Sequence, residues 1–273
     1  MTKVLPILLF LVFAATEALS CGPDALGTSR VLKVGTEGGG MIGLKSYPRT
    51  LPLAEGEVVL TFDDGPLPGT TRRVLDALKA ECVQATFFLL GRNAAAAPGL
   101  VGRIAREGHT IGSHTMTHAI LRKIYPESGQ REIGRGEEAI TKALAAAAPE
   151  AKLAPFFRFP GFANTPELES WLASRNTVVF GTDVWASDWT EEGTDAELAL
   201  VMRRLRQSKG GILLLHDPRP QTAHMLPALL RALKAEHYRI VHVVPGSGPL
   251  QTKAAPEGWT SETDRNLRKL GIL

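Results

Sequence analysis

Short runs of β-branched and aromatic residues alternate with longer amphipathic stretches along most of this chain. The runs Val58–Phe62, Ala85–Leu90, Thr110–Ser113, Phe156–Phe159, Thr177–Gly181, Gly211–Leu215 and Tyr238–Val244 read as strands. Between them, residues 71–79, 99–107, 128–147, 166–174, 195–207 and 224–236 place apolar side chains at helical spacing. Gly108 after "RIARE" is a helix stop, and Thr71 and Asp195 are helix starts. Strands alternating with helices in this order build parallel sheets, and the count suits a closed or nearly closed α/β barrel, a distorted (β/α)7 barrel. An open doubly wound sheet is the alternative. Residues 35–43 are glycine-rich and loosely patterned, and the tail after Pro245 reads as a polar extension with a short helix around residues 262–269. The pieces "NAAAAP" and "LAAAAPE" carry no motif.

Composition narrows this picture. A chain of 273 residues, 44% hydrophobic and 22% charged, can bury a full core. A formal charge of +3 without a long basic run leaves no footprint for nucleic acid. The first twenty residues differ from the rest. Lys3 precedes the apolar run "VLPILLFLVFAA", with Ala18 and Ser20 placed for cleavage before Cys21. We therefore expect a signal peptide at 1–20, an N-terminal extension at 21–55, a catalytic domain at 56–246 and a tail at 247–273, in an exported protein with no membrane span after cleavage. Cys21 is a weak candidate for lipid attachment, because Ala18 replaces the aliphatic residue expected three places upstream. Export permits a disulfide to Cys82, although Cys82 opens "CVQATFFLL" and reads as a small buried side chain.

The chemistry gathers at strand ends, where parallel α/β folds place their working residues. "VVLTFDDGP" ends a buried strand in Asp63 and Asp64; "SHTMTH" sets His114 and His118 four residues apart. If the second segment turns helical, both imidazoles share one face and one ion. Two imidazoles and one carboxylate suit Zn2+ with positions left open, and the second carboxylate can take a proton from water. His216, closing "LLLH", can donate a proton to a leaving group, with Asp217 able to orient it or cap its turn. Arg158 needs an anionic partner if it faces inward, and Asp183 or Asp188 can supply it. Trp185 and Trp189 are candidate walls for a sugar ring, whereas His109, His224, His237 and His242 read as structural or solvent-facing.

"TFDDGP", "HTMTH", "RFPGF", "DVWASDW" and "LLLH", in this order, resemble the NodB-like polysaccharide deacetylases, carbohydrate esterase family four. The resemblance spans about residues 58–244. It implies that Asp63 is the catalytic base, that Asp64, His114 and His118 hold a metal, and that Arg158 steadies the base. It further implies that Pro160 lines the groove, with Gly161 beside it and Phe162 near a position where the family often has tyrosine. His216 matches the general acid, Leu214 the acetyl pocket and Trp189 the hydrophobic wall. Trp185 stands where the family usually has aspartate, so the partner of Arg158 stays open between Asp183 and Asp188; Asp183 is carried in the catalytic set. The implied activity is metal-dependent N-deacetylation of an acetylated glycan, peptidoglycan-like or chitin-like, by a monomer. Zn2+ is the expected ion, with Co2+, Ni2+ or Mn2+ as alternatives. An acetylxylan esterase, a non-catalytic sugar-binding relative and a non-haem iron oxygenase are the rival readings.

Overall fold

The computed structural model describes Gly22, residues 24–190 and residues 193–273. The expected signal peptide and Cys21 lie outside the described residues. Among the described residues no helix is long and apolar enough to cross a membrane.

The chain begins with β1 (Thr28–Glu37), β2 (Gly40–Ile42) and β3 (Arg49–Thr50). The strand-helix repeat then runs β4 (Glu57–Asp63), α1 (Thr71–Ala80), β5 (Thr86–Leu89), α2 (Gly91–Ala96) and α3 (Pro98–Arg106). Next come β6 (Thr110–Ser113), α4 (Pro126–Ala147), β7 (Phe156–Phe157), α5 (Pro166–Ser174), β8 (Val178–Phe180) and β9 (Val184–Trp185). The last part is α6 (Thr194–Ser208), β10 (Gly210–His216), α7 (Pro220–Ala235), β11 (Arg239–Pro249), β12 (Lys253–Ala254) and α8 (Glu262–Lys269).

All strands but the β3–β12 pair share one parallel sheet. From β4 the ladder runs one way through β5, β6 and β7 to β8, and the other way through β10 to β9. The two arms meet at residues 181–183, which join β8 to β9 along the chain. Among the described residues no ladder pairs β8 with β9, so the barrel is not closed by hydrogen bonds there.

Every position of β4 is buried, which explains an apolar run without alternation. Its side chains still alternate in direction. Val58, Leu60 and Phe62 belong to the core beneath the helices, with Val74, Leu78 and Leu229, while Val59 joins Phe88, Phe156 and Ile212 in a second cluster. Asp63 and Thr61 share the parity of Val59 and project inward. On β10, Leu214 and His216 share that of Ile212. Each large side chain so buried contributes roughly 1.5–3 kcal/mol, and the same two-sided packing fixes which strand residues reach the barrel mouth.

The expected strands and helices are present with shifted ends, and three differences carry meaning. Residues 28–42, expected to precede the domain, contribute β1 and β2 to its sheet: β1 pairs with β11 and β2 with β8. Only Val34 and Gly35 of β1 are fully buried, so its hydrophobic pattern is weak and β11 defines it. The alanine-rich piece at 91–96 forms α2, lodged against α4 where Gly91 meets Gly136; a Cβ on Gly91 would come within 2.7 Å of Cα of Gly136. Cys82 is not a free buried thiol but is disulfide-bonded.

Candidate active site

Strand β4 delivers Asp63 into the barrel, and the next residue breaks the strand. Asp64 adopts φ 74°, a left-handed conformation that aspartate tolerates better than most residues. This reversal lets two successive carboxylates face the same space, although strand geometry alone would send them apart. Its carbonyl accepts from the Asn93 side chain at 2.7 Å. Gly65 then passes so close to Asp217 that a Cβ would sit 2.1 Å from a carboxylate oxygen.

His114 and His118 lie in a loop, not the helix expected from their spacing. Left-handed residues at Thr115 (φ 73°) and His118 (φ 68°) curl the segment instead. The turn is held by Gly91 N–H to the Thr115 carbonyl (2.9 Å), Arg92 N–H to that of Met116 (3.0 Å), and Thr117 to the Glu132 carboxylate (2.6 Å). The rings lie edge to face, their centroids 5.1 Å apart. Nε2 of His118 is 3.4 Å, and Nε2 of His114 3.6 Å, from Oδ1 of Asp64.

Arg158, at the end of β7, is fully buried. Its Nη1 donates to Asp63 Oδ1 at 2.7 Å and to the Thr61 hydroxyl at 2.9 Å. Nε and Nη2 donate to the carbonyls of Phe180 and Gly181. Neither fourth-motif aspartate touches it. Asp183, carried in the expected catalytic set, instead accepts from the backbone of Leu44 and Ile212 and from Thr50, each at 2.8 Å. The bare Cα of Gly211 makes room for it there; a Cβ would stand 2.7 Å from that of Asp183. Asp183 is therefore a joint between the N-terminal segment and β10, set outside the cluster.

Asp188 has the role that Asp217 was a candidate for. Its Oδ1 lies 2.7 Å from Nδ1 of His216, and its Oδ2 accepts from His216 N–H and the Thr222 hydroxyl, each at 2.5 Å. Asp217 bonds the Thr71 hydroxyl. Burial alone would favour a neutral His216, but the charge and hydrogen bond of Asp188, backed by Asp63 and Asp64, outweigh it and push its pKa up to about 9. Asp217, buried and close to Asp64, is pushed up to about 7.

The trio Asp64, His114 and His118 fits a divalent cation. Their ligand atoms lie within 4.8 Å of one another, and Oδ1 of Asp64 is buried without a hydrogen-bond donor. Burial pushes the His114 imidazole down, against the pull of Asp63 and Asp64, toward the neutral form a ligand needs. Burial alone would raise Asp64; the nearby His114, His216 and His118 and Arg219 turn the balance and hold it below the ordinary carboxylate value.

Sequence comparison places this geometry among known proteins. Residues 51–174 match the family model described as polysaccharide deacetylase. A chitooligosaccharide deacetylase of Rhizobium leguminosarum bv. trifolii is 37% identical over 181 residues, 64% of this chain and 80% of that protein. The chain belongs to the polysaccharide deacetylase family. A peptidoglycan-N-acetylglucosamine deacetylase of Bacillus cereus is 38% identical over 150 residues, 55% of this chain but only 52% of that protein. Among solved structures, a Bdellovibrio bacteriovorus peptidoglycan deacetylase superposes with a TM-score of 0.73 at 28% identity, covering 82% of this chain and 61% of that one. The chain thus spans about half to three fifths of the length of these two relatives.

The cluster opens into a groove of about 540 Å³. Of the expected binding residues, Gly161, Phe162, Trp189 and Leu214 line it; Pro160 is buried behind. Trp185 packs between Phe162 and Trp189, with ring centroids 6.4 Å from each, and its indole N–H is buried without an acceptor. Phe159, Arg219, the α8 residues Thr263, Asn266, Leu267 and Lys269, and Leu270 at the end of that helix also line the groove and were not foreseen. Phe159 follows Arg158 in "RFPGF" and was legible there; for α8 no local signal existed.

Proposed function

We propose that the protein is an exported, metal-dependent deacetylase that removes acetyl groups from the N-acetylglucosamine residues of a glycan. One observation supports this above others: Asp63 and His216 are register partners on adjacent strands, and each has its own buried counter-ion. Neighbouring strands stand about 4.8 Å apart, so a base and an acid flank one reacting centre, with Asp64, His114 and His118 beside them.

A divalent cation on that trio, Zn2+ in our reading, would polarise the acetyl carbonyl and acidify a water molecule. Asp63 accepts the proton of the attacking water, and the Arg158 guanidinium holds that carboxylate in place. As the tetrahedral intermediate collapses, the C–N bond breaks and His216 gives its proton to the departing amine. Asp188 keeps the imidazole charged for this step. Leu214 and Trp189 supply an apolar wall for the acetyl methyl group, and Gly161 and Phe162 the opposite side.

Acetate release from chitooligosaccharides, peptidoglycan and acetylxylan, with chelation and metal add-back, tests the proposal. Release from the amide-linked glycans that stops on chelation and returns with Zn2+ is the expected result. Release from acetylxylan alone would make it an ester hydrolase, and no release from any substrate would refute the reading.

A further inference from the structure

The tail assigned no role from the sequence is built into the groove. α8 is docked by its first turns: the Trp259 indole donates to the Leu44 carbonyl at 2.7 Å, Thr263 N–H to that of Lys45 at 2.8 Å, and the Thr263 hydroxyl lies 2.9 Å from that of Ser46. Glu262 pairs with Lys45, whose ammonium sits over Trp185 at 5.2 Å from the ring centroid. Leu267 is only 4% exposed and fastens the helix from beneath. Ser261 caps it, accepting from Asp264 N–H at 3.0 Å. A segment tied down by its backbone, a buried leucine and an ion pair is part of the scaffold.

What α8 presents to the groove is chemically uneven. Asn266, Lys269 and Leu270 line the space that Trp189 also lines, and Leu270 and Trp189 keep 70% and 42% of their surface exposed. Outside the Asp63, Asp64, His114, His118 and His216 cluster, the charged side chains on the wall are Arg219 and Lys269, both cations. Neither has an ion-pair partner among the described residues. Two unpaired cations beside an apolar shelf suit a ring bearing an anion.

Building on the deacetylase reading, we propose that α8 forms a substrate subsite in which Lys269, with Arg219 nearer the reacting centre, selects glycans carrying a carboxylate on the sugar next to the one deacetylated, while Leu270 packs on that sugar. Neutral N-acetylglucosamine oligomers would enter the same groove without this contact. The carboxylate can belong to a lactyl ether on the ring or to a peptide attached to it.

The test compares kcat/KM for chitopentaose, for peptidoglycan strands freed of peptide so that lactyl carboxylates are exposed, and for strands retaining their peptides, in wild type, Lys269→Gln, Lys269→Glu and Lys269→Gln/Arg219→Gln. Both residues are exposed, so the fold should survive. We expect the ratio of an anionic strand over chitopentaose to fall about three- to tenfold in the double variant, as for one or two exposed ion pairs, to fall further in Lys269→Glu, and to shrink with added salt. The strand type whose ratio falls names the carboxylate. Unchanged ratios for both strands would overturn the subsite. If the wild type releases no acetate from any glycan, the activity reading fails; calorimetric binding of the same three glycans then decides the subsite, a carboxylate preference lost in Lys269→Gln supporting it and no preference overturning it.

Discussion

The backbone carbonyl of Arg158 lies 2.7 Å from Nδ1 of His114. A carbonyl can only accept, so His114 carries its proton on Nδ1 and turns the lone pair of Nε2 toward Asp64. The guanidinium of the same residue holds Asp63. One residue therefore joins the ligand trio to the proposed base.

Removing that guanidinium should leave Asp63 buried without its counter-ion. Arg158→Met is expected to lose about 3–5 kcal/mol of stability, the usual cost of breaking a buried pair from one side. Combining it with Asp63→Asn should restore part of the loss in urea denaturation. Strictly additive losses would mean that the two side chains are not coupled.

Asp63→Asn alone tests the chemistry. Turnover should fall on the order of 10²–10⁴-fold, the range for general acid-base groups, while Zn2+ binding by the trio persists. Loss of metal together with activity would move Asp63 into the ligand set.

On the proposed mechanism, Asp188 sets the upper limit of the pH range. Because the His216 pKa is raised to about 9, its acid form is complete at neutrality and is lost as pH climbs through that value. In Asp188→Asn the largest raising contribution disappears, so the alkaline limb of the rate profile should shift down toward the ordinary histidine value. A limb that stays in place would remove His216 from the role of acid.

Gly136 touches no ligand, yet a Cβ there would meet the Thr115 carbonyl carbon at 2.5 Å. Gly136→Ala should push the loop that carries His114 and His118 and cost roughly 1–3 kcal/mol of stability, as overpacking does. Zn2+ affinity measured by competition with a chelator should drop with it. Unaltered affinity would show that the loop adapts.

Most residues of the candidate site were legible because they stand where a recognisable apolar run stops. Asp63, Asp64, His114 and His216 fit that description, whereas Arg158 sits inside its run, between Phe157 and Phe159. Asp188 was harder: it lies 28 residues before His216, and the sequence offered the adjacent Asp217 to that histidine while placing Asp188 only as a possible partner of Arg158. Only the path of β9 beside β10 separates them. The groove face of α8 was illegible for the same reason, since its position depends on contacts with residues 44–46. The four-residue spacing of the histidines pointed to a pair that the structure does bring together, through an element other than the one expected. Proximity at that spacing arises from a curled loop as readily as from a helical turn.

The N-terminal segment has one more implication. β1 lies along β11 and β2 along β8, so a single short stretch of chain shields two separate margins of the sheet. A version trimmed to begin at the aspartate-bearing strand would keep the reacting groups but leave both margins with unsatisfied amides and carbonyls, open to strand exchange between molecules. Poor solubility of such a trimmed protein would then reflect naked edges, and would carry no information about its chemistry.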